Sequence, residues 1–225
     1  MRLEVLGRVP FFAGLKPQQL EAINRRLHTE GHGTDEPVYH AGFEADRLFV
    51  IATGVVKTTR MSLDGRESVI DILGPGDFFG ALPALGSERY TDSAWTLSPC
   101  CLLVLGTAQF EWILEEFPAV ARSALKAVSA RLSDTQAALH RSASTVEQRV
   151  AAALLELADK LGSEWREGIL VHAPISRDDL AALTGARTET VSRVLSKWRR
   201  DGLIDSGRRW VAVRDPKALA EVSDR

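Results

Sequence analysis

Residues 175–200 read ISRDDLAALTGARTETVSRVLSKWRR, and this stretch decides the fold. Ser176 is a good helix N-cap, and Asp179, three residues on, can return the capping-box bond. Leu180, Ala181 and Leu183 give the first helix an apolar face. Thr184-Gly185-Ala186 breaks it, with Gly185 free to take the positive φ that a tight turn needs. A second helix starts near Thr188, and its inward face is Val191, Val194, Leu195 and Trp198, spaced three and four apart. The other face carries Arg187, Glu189, Ser192, Arg193, Lys197, Arg199 and Arg200. An apolar side opposed by cations around a single carboxylate is what a helix lying in the DNA major groove requires. The alternative is an ordinary helical hairpin with a solvated charged face.

The residues that follow favour DNA. Asp201-Gly202-Leu203-Ile204 ends the helix, Asp205-Ser206-Gly207-Arg208-Arg209 makes a turn, and Trp210-Val211-Ala212-Val213 alternates as a strand, the pattern of a small β wing. From Arg187 to Arg209 there are seven Lys/Arg and three Asp/Glu, about +4 in a chain whose formal charge is −2. Local positive charge on a near-neutral protein is the footprint expected for phosphates.

A chain of 225 residues with 45% hydrophobic content suffices for two cores. Its two cysteines, Cys100 and Cys101, are adjacent, so no disulfide framework is implied and a cytoplasmic location is expected. No stretch approaches the roughly 20 apolar residues of a membrane span, and MRLEVLGRVPFF lacks the apolar core of a signal peptide. Charge divides unevenly: residues 1–112 hold ten basic and fourteen acidic side chains, residues 113–225 eighteen and sixteen. The acidic half is a poor partner for nucleic acid, which suggests a sensor joined to a reader. No nucleophile–base pairing, phosphate-binding Gly-rich loop or metal-spaced His/Cys cluster appears, so an enzyme is not expected and no metal site is assigned.

Upstream, Pro10-Phe11-Phe12-Ala13-Gly14-Leu15 is an apolar opener, and Pro17 suits the first position of a helix running to about Leu27. Between Gly31 and Leu105 the strand-like runs are residues 48–51, 55–57, 69–73, 94–97 and 102–105, with Asp64-Gly65 a hairpin turn. Short strands at this spacing point to a jelly roll. Thr107 is expected to cap a short helix that Pro118 closes. A longer helix spans about 119–142, with Ala121, Leu125, Val128, Leu132, Thr135, Leu139 and Ser142 in a heptad stripe. Such a helix is about 36 Å long at ~1.5 Å per residue. The stripe reads as a homodimer seam, the alternative being packing on its own β domain. Val146 to Leu161 is amphipathic and opens the second domain, Ile169-Leu170-Val171 is a short strand, and Asp215-Pro216 starts a last helix. The expected fold is α+β: a jelly-roll β-roll sensor (1–117), a dimerisation helix (118–145) and a winged helix-turn-helix (146–225).

This order resembles the Crp/Fnr family of bacterial transcription regulators over nearly the whole chain. Gly74-Pro75-Gly76-Asp77-Phe78-Phe79-Gly80 resembles the turn into that family's ligand cassette, and Gly185-Ala186-Arg187-Thr188-Glu189-Thr190-Val191-Ser192-Arg193 its recognition helix. The resemblance implies a homodimer on double-stranded DNA, working with RNA polymerase, with a β-roll pocket that senses a small molecule. The branch reading TGTGA-type half-sites carries Arg where this chain has Thr188. The Fnr-like branch, which reads TTGAT-like half-sites, carries Glu, Ser and Arg at Glu189, Ser192 and Arg193, and all three are present. Arg193 can donate twice to guanine, Glu189 can accept from cytosine N4, and Ser192 can approach a base edge. Thr188 joins them as a base-reading position, while Ser176, Arg177, Arg187, Lys197, Arg208 and Arg209 are assigned to phosphates.

The resemblance places the effector pocket at Gly80, Ala81, Leu82, Arg89, Asp92 and Ser93, with Thr135 from the long helix. Members that bind cyclic AMP have Glu at the position of Ala81 and Arg before the serine, where this chain has Asp92. A carboxylate facing a cyclic phosphate is repulsive, so weak or no cyclic-AMP binding is expected. Arg89 could substitute only if its loop were shifted. Two adjacent cysteines cannot hold the four-cysteine iron–sulfur cluster of Fnr-type sensors. Haem remains an alternative through His28, His32, His40 or His140, as do thiol redox sensing and the absence of any effector.

Overall fold

The computed structural model describes residues 2–62, 65–83, 86–140, 144–166, 168–171, 173–207 and 209–224, the side chains of 130–140 excepted. Asp64, Leu132, Thr135, Leu139, Ser142 and Arg208, and the imidazole of His140, therefore lie outside the described residues or side chains. The chain divides into two compact units, residues 1–58 with 73–140 and residues 59–72 with 141–225.

Helices α1 (Arg2–Arg8) and α2 (Pro17–Asn24) flank a 3-10 turn at Pro10–Phe12 and precede the strands. β1 (His28–His32), β8 (Cys100–Gly106), β3 (Arg47–Thr53) and β6 (Phe78–Ala81) form one four-stranded sheet in the order β1-β8-β3-β6. β2 (Pro37–Tyr39), β7 (Ser93–Thr96), β4 (Val56–Met61) and β5 (Glu67–Leu73) form another, in the order β2-β7-β4-β5. In the first sheet the neighbouring strands are antiparallel, with Phe49 opposite both Val104 and Phe79.

β3 and β8 read as unbroken apolar runs because both faces of their sheet are covered, and successive side chains point to opposite faces. Leu48, Val50, Ala52, Leu103 and Leu105 turn to one face, packing with Phe11, Phe12, Ile23, Phe110, Ile113 and Val120 of the helices. Phe49, Ile51, Leu102 and Val104 turn to the other, where they share a core with Tyr39, Val56, Leu73, Phe79, Tyr90 and Ala94. That second core lies inside the roll.

Helix α3 (Thr107–Glu116) corrects two expectations. Thr107 is its first helical residue rather than its cap; Gly106 stands at the N-cap without a side-chain bond. Pro118 opens the next helix, α4 (Pro118–His140), instead of merely ending the last. Its fixed φ and missing N–H suit a first turn, where an amide would go unbonded. One side of α4 joins the helical core through Val120 and Ala124. On another side Ala121 is exposed, and so are Leu125 and Val128, at 69% and 56%.

In the second unit, α5 (Val146–Leu161) is capped by Thr145, whose hydroxyl accepts from the Gln148 N–H. β9 (Gly162–Trp165), β10 (Gly168–Val171), β11 (Ile204–Gly207) and β12 (Trp210–Val213) pair in the order β11-β12-β10-β9. α6 (Arg177–Thr184), α7 (Thr188–Arg200) and α8 (Pro216–Ser223) complete it, with Asp215 capping α8 through the Ala218 N–H. Val150, Leu154, Leu180, Val191, Trp198, Ala212, Val213 and Leu219 are buried here.

Candidate nucleic-acid interface and effector interior

The hairpin of α6 and α7 is built as its residues require. The Ser176 N–H donates to Asp179 at 3.0 Å and the Asp179 N–H donates back to the Ser176 hydroxyl at 3.0 Å, a reciprocal cap. Gly185 closes α6 in the left-handed region, φ 61° and ψ 31°. Arg149 of α5 donates to the Thr184 carbonyl at 2.7 Å, satisfying a C-terminal carbonyl of α6.

α7 then divides cleanly. Val191, Val194, Leu195 and Trp198 are all buried, Trp198 to 2%. Glu189, Arg193, Lys197, Arg199 and Arg200 are exposed and Ser192 is half-buried. Arg177, the first residue of α6, reaches across to donate to the Ser192 hydroxyl at 3.4 Å. Glu189, Ser192 and Arg193 are thus offered together on one face of a helix fixed by its opposite face.

Several assigned residues have other engagements. The Thr188 hydroxyl donates to Asp178 at 2.7 Å, tying the start of α7 to α6. Lys197 pairs with Glu147 at 3.1 Å. Ser176 is occupied by its cap, its hydroxyl also donating to Asp179 at 2.6 Å. Arg187 is the exposed N-cap residue of α7, and Arg209 is exposed in the wing turn with φ 70°.

The residues expected at an effector pocket are placed differently from one another. Gly80 has φ 94°, and a Cβ there would stand 2.6 Å from the Arg47 carbonyl, so the position demands glycine. Leu82 is fully buried and Ala81 half-buried. Arg89 is exposed and donates to the Gly42 carbonyl at 2.6 Å, which ties its guanidinium to the connection between β2 and β3. The Ser93 hydroxyl accepts from the Ala41 N–H at 3.0 Å. Asp92 accepts from the Tyr39 hydroxyl at 2.9 Å.

Tyr39 is the residue that sequence reasoning missed. Its ring stacks on Tyr90 at 3.9 Å and lies about 6 Å from Phe49 and Phe79, at 5.9 and 6.0 Å, all four being buried. Burial pushes its phenol well above the ordinary tyrosine range; the Asp92 charge adds to this, and a Gly80 backbone hydrogen bond opposes it. The hydroxyl therefore sits among Gly80, Asp92 and Tyr90. A buried aromatic side chain and a carboxylate thus meet beside Gly80 in the roll interior.

The haem candidates stand apart in character. His28 pairs with Glu30 at 3.2 Å, His32 lies 3.6 Å from Glu30 and 3.9 Å from Glu36, and exposed His40 meets Trp95 edge-on at 5.5 Å. Cys100 is buried, and its thiol is pushed up by that burial, which disfavours a reactive thiolate. Among the described residues no group of three or more His, Cys, Asp or Glu is arranged to hold a metal ion, and no helix is long and apolar enough to cross a membrane.

Comparison with known proteins agrees with this architecture. Residues 32–117 match the model of the cyclic nucleotide-binding domain, and residues 148–222 that of the Crp-like helix-turn-helix domain. The chain is 31% identical, over 96% of its length and 97% of the relative's, to the CRP-like cAMP-activated global transcriptional regulator of Mycobacterium tuberculosis. It is also 31% identical to the cyclic AMP receptor protein of Thermus thermophilus, over 95% of this chain and 96% of that one. FixK2 from Bradyrhizobium japonicum shares the fold, with a TM-score of 0.78 at 24% identity, covering 87% of this chain and 96% of that chain. With a nucleotide-binding-type β-roll, a helix-turn-helix and relatives of this similarity along nearly its full length, the chain belongs to the Crp/Fnr family of transcription regulators.

Proposed function

We propose that the protein is a homodimeric, sequence-specific regulator that reads palindromes of TTGAT-like half-sites. The observation that carries this reading is the division of α7, which presents Glu189, Ser192 and Arg193 outward while Val191, Val194, Leu195 and Trp198 are buried. Arg193 pairs with a guanine and Glu189 with a cytosine amine, each such contact discriminating by about 1–3 kcal/mol. Two recognition helices address half-sites one helical turn apart, roughly 34 Å. Exposed Ala121, with Leu125 and Val128 exposed at 69% and 56%, forms the described part of the proposed dimer seam. Bound upstream of a promoter, such a dimer would act through RNA polymerase. Footprinting tests the half-site: protected sites lacking a G·C pair at the third half-site position would overturn it.

An effector domain that takes no cyclic AMP is supported by Tyr39 stacked on Tyr90 in the roll interior and by Asp92, which stands at the position where the resemblance calls for an arginine. A second reading, a cyclic-nucleotide-responsive regulator, is favoured by similarity to relatives described as cAMP-activated. A thermal-shift titration with cyclic AMP separates the two: no shift at millimolar nucleotide supports the first, a saturable shift the second. An effector of another kind would act by binding one dimer arrangement better than another. An absorption spectrum of the purified protein tests haem directly.

A further inference from the structure

A concave cationic surface on the second unit takes no part in base reading. It is a cleft of about 440 Å³ lined by Arg177, Leu195, Ser196, Arg199, Arg200 and Ser206. Among the described residues three arginines and no carboxylate line it. Asp205 stands 3.5 Å from Arg199 at the side and offsets part of one charge, leaving the cleft net positive. The two serines are small enough to leave room for a phosphate-sized group, and planar guanidinium forks suit phosphate oxygens.

The position of the cleft along α7 narrows what it holds. Glu189, Ser192 with Arg193, Ser196, and Arg199 with Arg200 recur at helical spacing and form one stripe. Arg200 is seven residues beyond Arg193, about 10 Å farther along the axis at ~1.5 Å per residue. The major groove is about 12 Å wide, and a recognition helix reads bases with its first turns. Its last turn therefore reaches the sugar–phosphate wall of the groove. Arg177 joins the two regions, since it lines the cleft and also bonds Ser192.

We propose that this cleft seats a DNA backbone phosphate outside the bases read, one per recognition helix. The proposal rests on the DNA-binding reading and extends it to Ser196, Arg199, Arg200 and Ser206. It makes the footprint longer than the half-site and adds affinity without adding sequence preference.

The test uses the full chain and two palindromic duplexes, one ending just outside the half-sites and one carrying several further base pairs on each side. Binding constants are measured against salt for the wild type, Arg200→Ala and Arg200→Lys. Each phosphate contact contributes a slope of about −0.9 in log K against log salt. On the long duplex Arg200→Ala is expected to flatten the slope by about 1 per cleft, about 2 for a dimer, and Arg200→Lys to restore most of it. On the short duplex the difference should vanish. Equal slopes for wild type and Arg200→Ala on the long duplex would overturn the proposal. Equal slopes with a thermal shift by inorganic phosphate that Arg200→Ala abolishes would also overturn it, reassigning the cleft to a free anion. Failure of the half-site reading looks different: the wild type would bind the palindrome no better than a scrambled duplex, whatever the slopes. Arg200 is exposed and Ala favours helix, so circular dichroism should show the variant folded.

Discussion

The Tyr39 hydroxyl donates to Oδ1 of Asp92 across 2.9 Å, joining two positions 53 residues apart inside the roll. Replacing Tyr39 by Phe keeps the ring but removes this bond to a charged acceptor, for a cost of about 1.5 kcal/mol in chemical denaturation. The pH dependence follows from the direction of the shift. Because burial, with Asp92 adding to it, raises the folded-state pKa, the unfolded chain ionises first, near pH 10. The contribution of Tyr39 is complete below that pH and is lost as pH climbs from there towards the folded-state value. The wild type should therefore lose its advantage over Tyr39→Phe as pH rises above about 10 and go on losing stability relative to the variant towards the folded-state value. A constant gap across that range would show that the phenol does not titrate as its surroundings require.

Arg193→Ala should erase preference for a G·C pair at its half-site position, a loss of about 1–3 kcal/mol in discrimination. Competition binding between matched and mismatched duplexes reads this. Salt-dependent binding to unrelated DNA should persist, since the phosphate contacts remain. Retained preference in the variant would show that another residue reads the base.

Leu125→Glu should leave the protomer folded, because the side chain is already 69% exposed, yet prevent association by opposing two carboxylates in an apolar seam. Sedimentation velocity should then show a monomer where the wild type is expected to sediment as a dimer, and affinity for a palindrome should fall towards that for a single half-site. A variant that still sediments as a dimer would place the interface elsewhere.

Gly185→Ala isolates backbone strain. Nothing lies within 4 Å of a Cβ at this position, so no clash is added, but φ of 61° costs an L-residue about 1–2 kcal/mol. Gly185→Asn should lose less, since asparagine tolerates this conformation better. Thermal denaturation comparing the two gives the order.

The helix-turn-helix was legible because its signals are local. A capping box, a left-handed glycine and a three–four apolar stripe each occupy a few consecutive residues, and Ser176, Gly185 and Val191 do in the structure what their types suggest. β1, β2, β6, β9 and β11 were not picked out as strands; Asp205, Ser206 and Gly207, expected in a turn, belong to β11, which pairs with β12. β1 reads His-Thr-Glu-Gly-His at a sheet edge and has little apolar signal to give. β6 was hidden in the glycine-containing cassette, whose Gly80 suggested a turn although it is a strand position of unusual φ. Thr107 looked like a cap because Ser and Thr usually are; here Gly106, the extended last residue of β8, already stands at the N-cap. The aromatic filling of the roll could not be read at all. Tyr39, Phe49, Phe79 and Tyr90 come from separate parts of the chain, and only pairing of the strands brings their rings together. The partner of Thr188 was equally invisible, since Asp178 belongs to the neighbouring helix.

The division of α7 bears on how such a regulator could change over evolutionary time. Its packing rests on the four side chains it buries, whereas the target proposed for it would be set by Glu189, Ser192 and Arg193, which lie outside that core. Surface substitutions of this kind usually change stability by no more than about 0.5 kcal/mol. Descendants of this chain can therefore wander among operator sequences, one exposed side chain at a time, while the scaffold beneath stays under a separate and stricter selection.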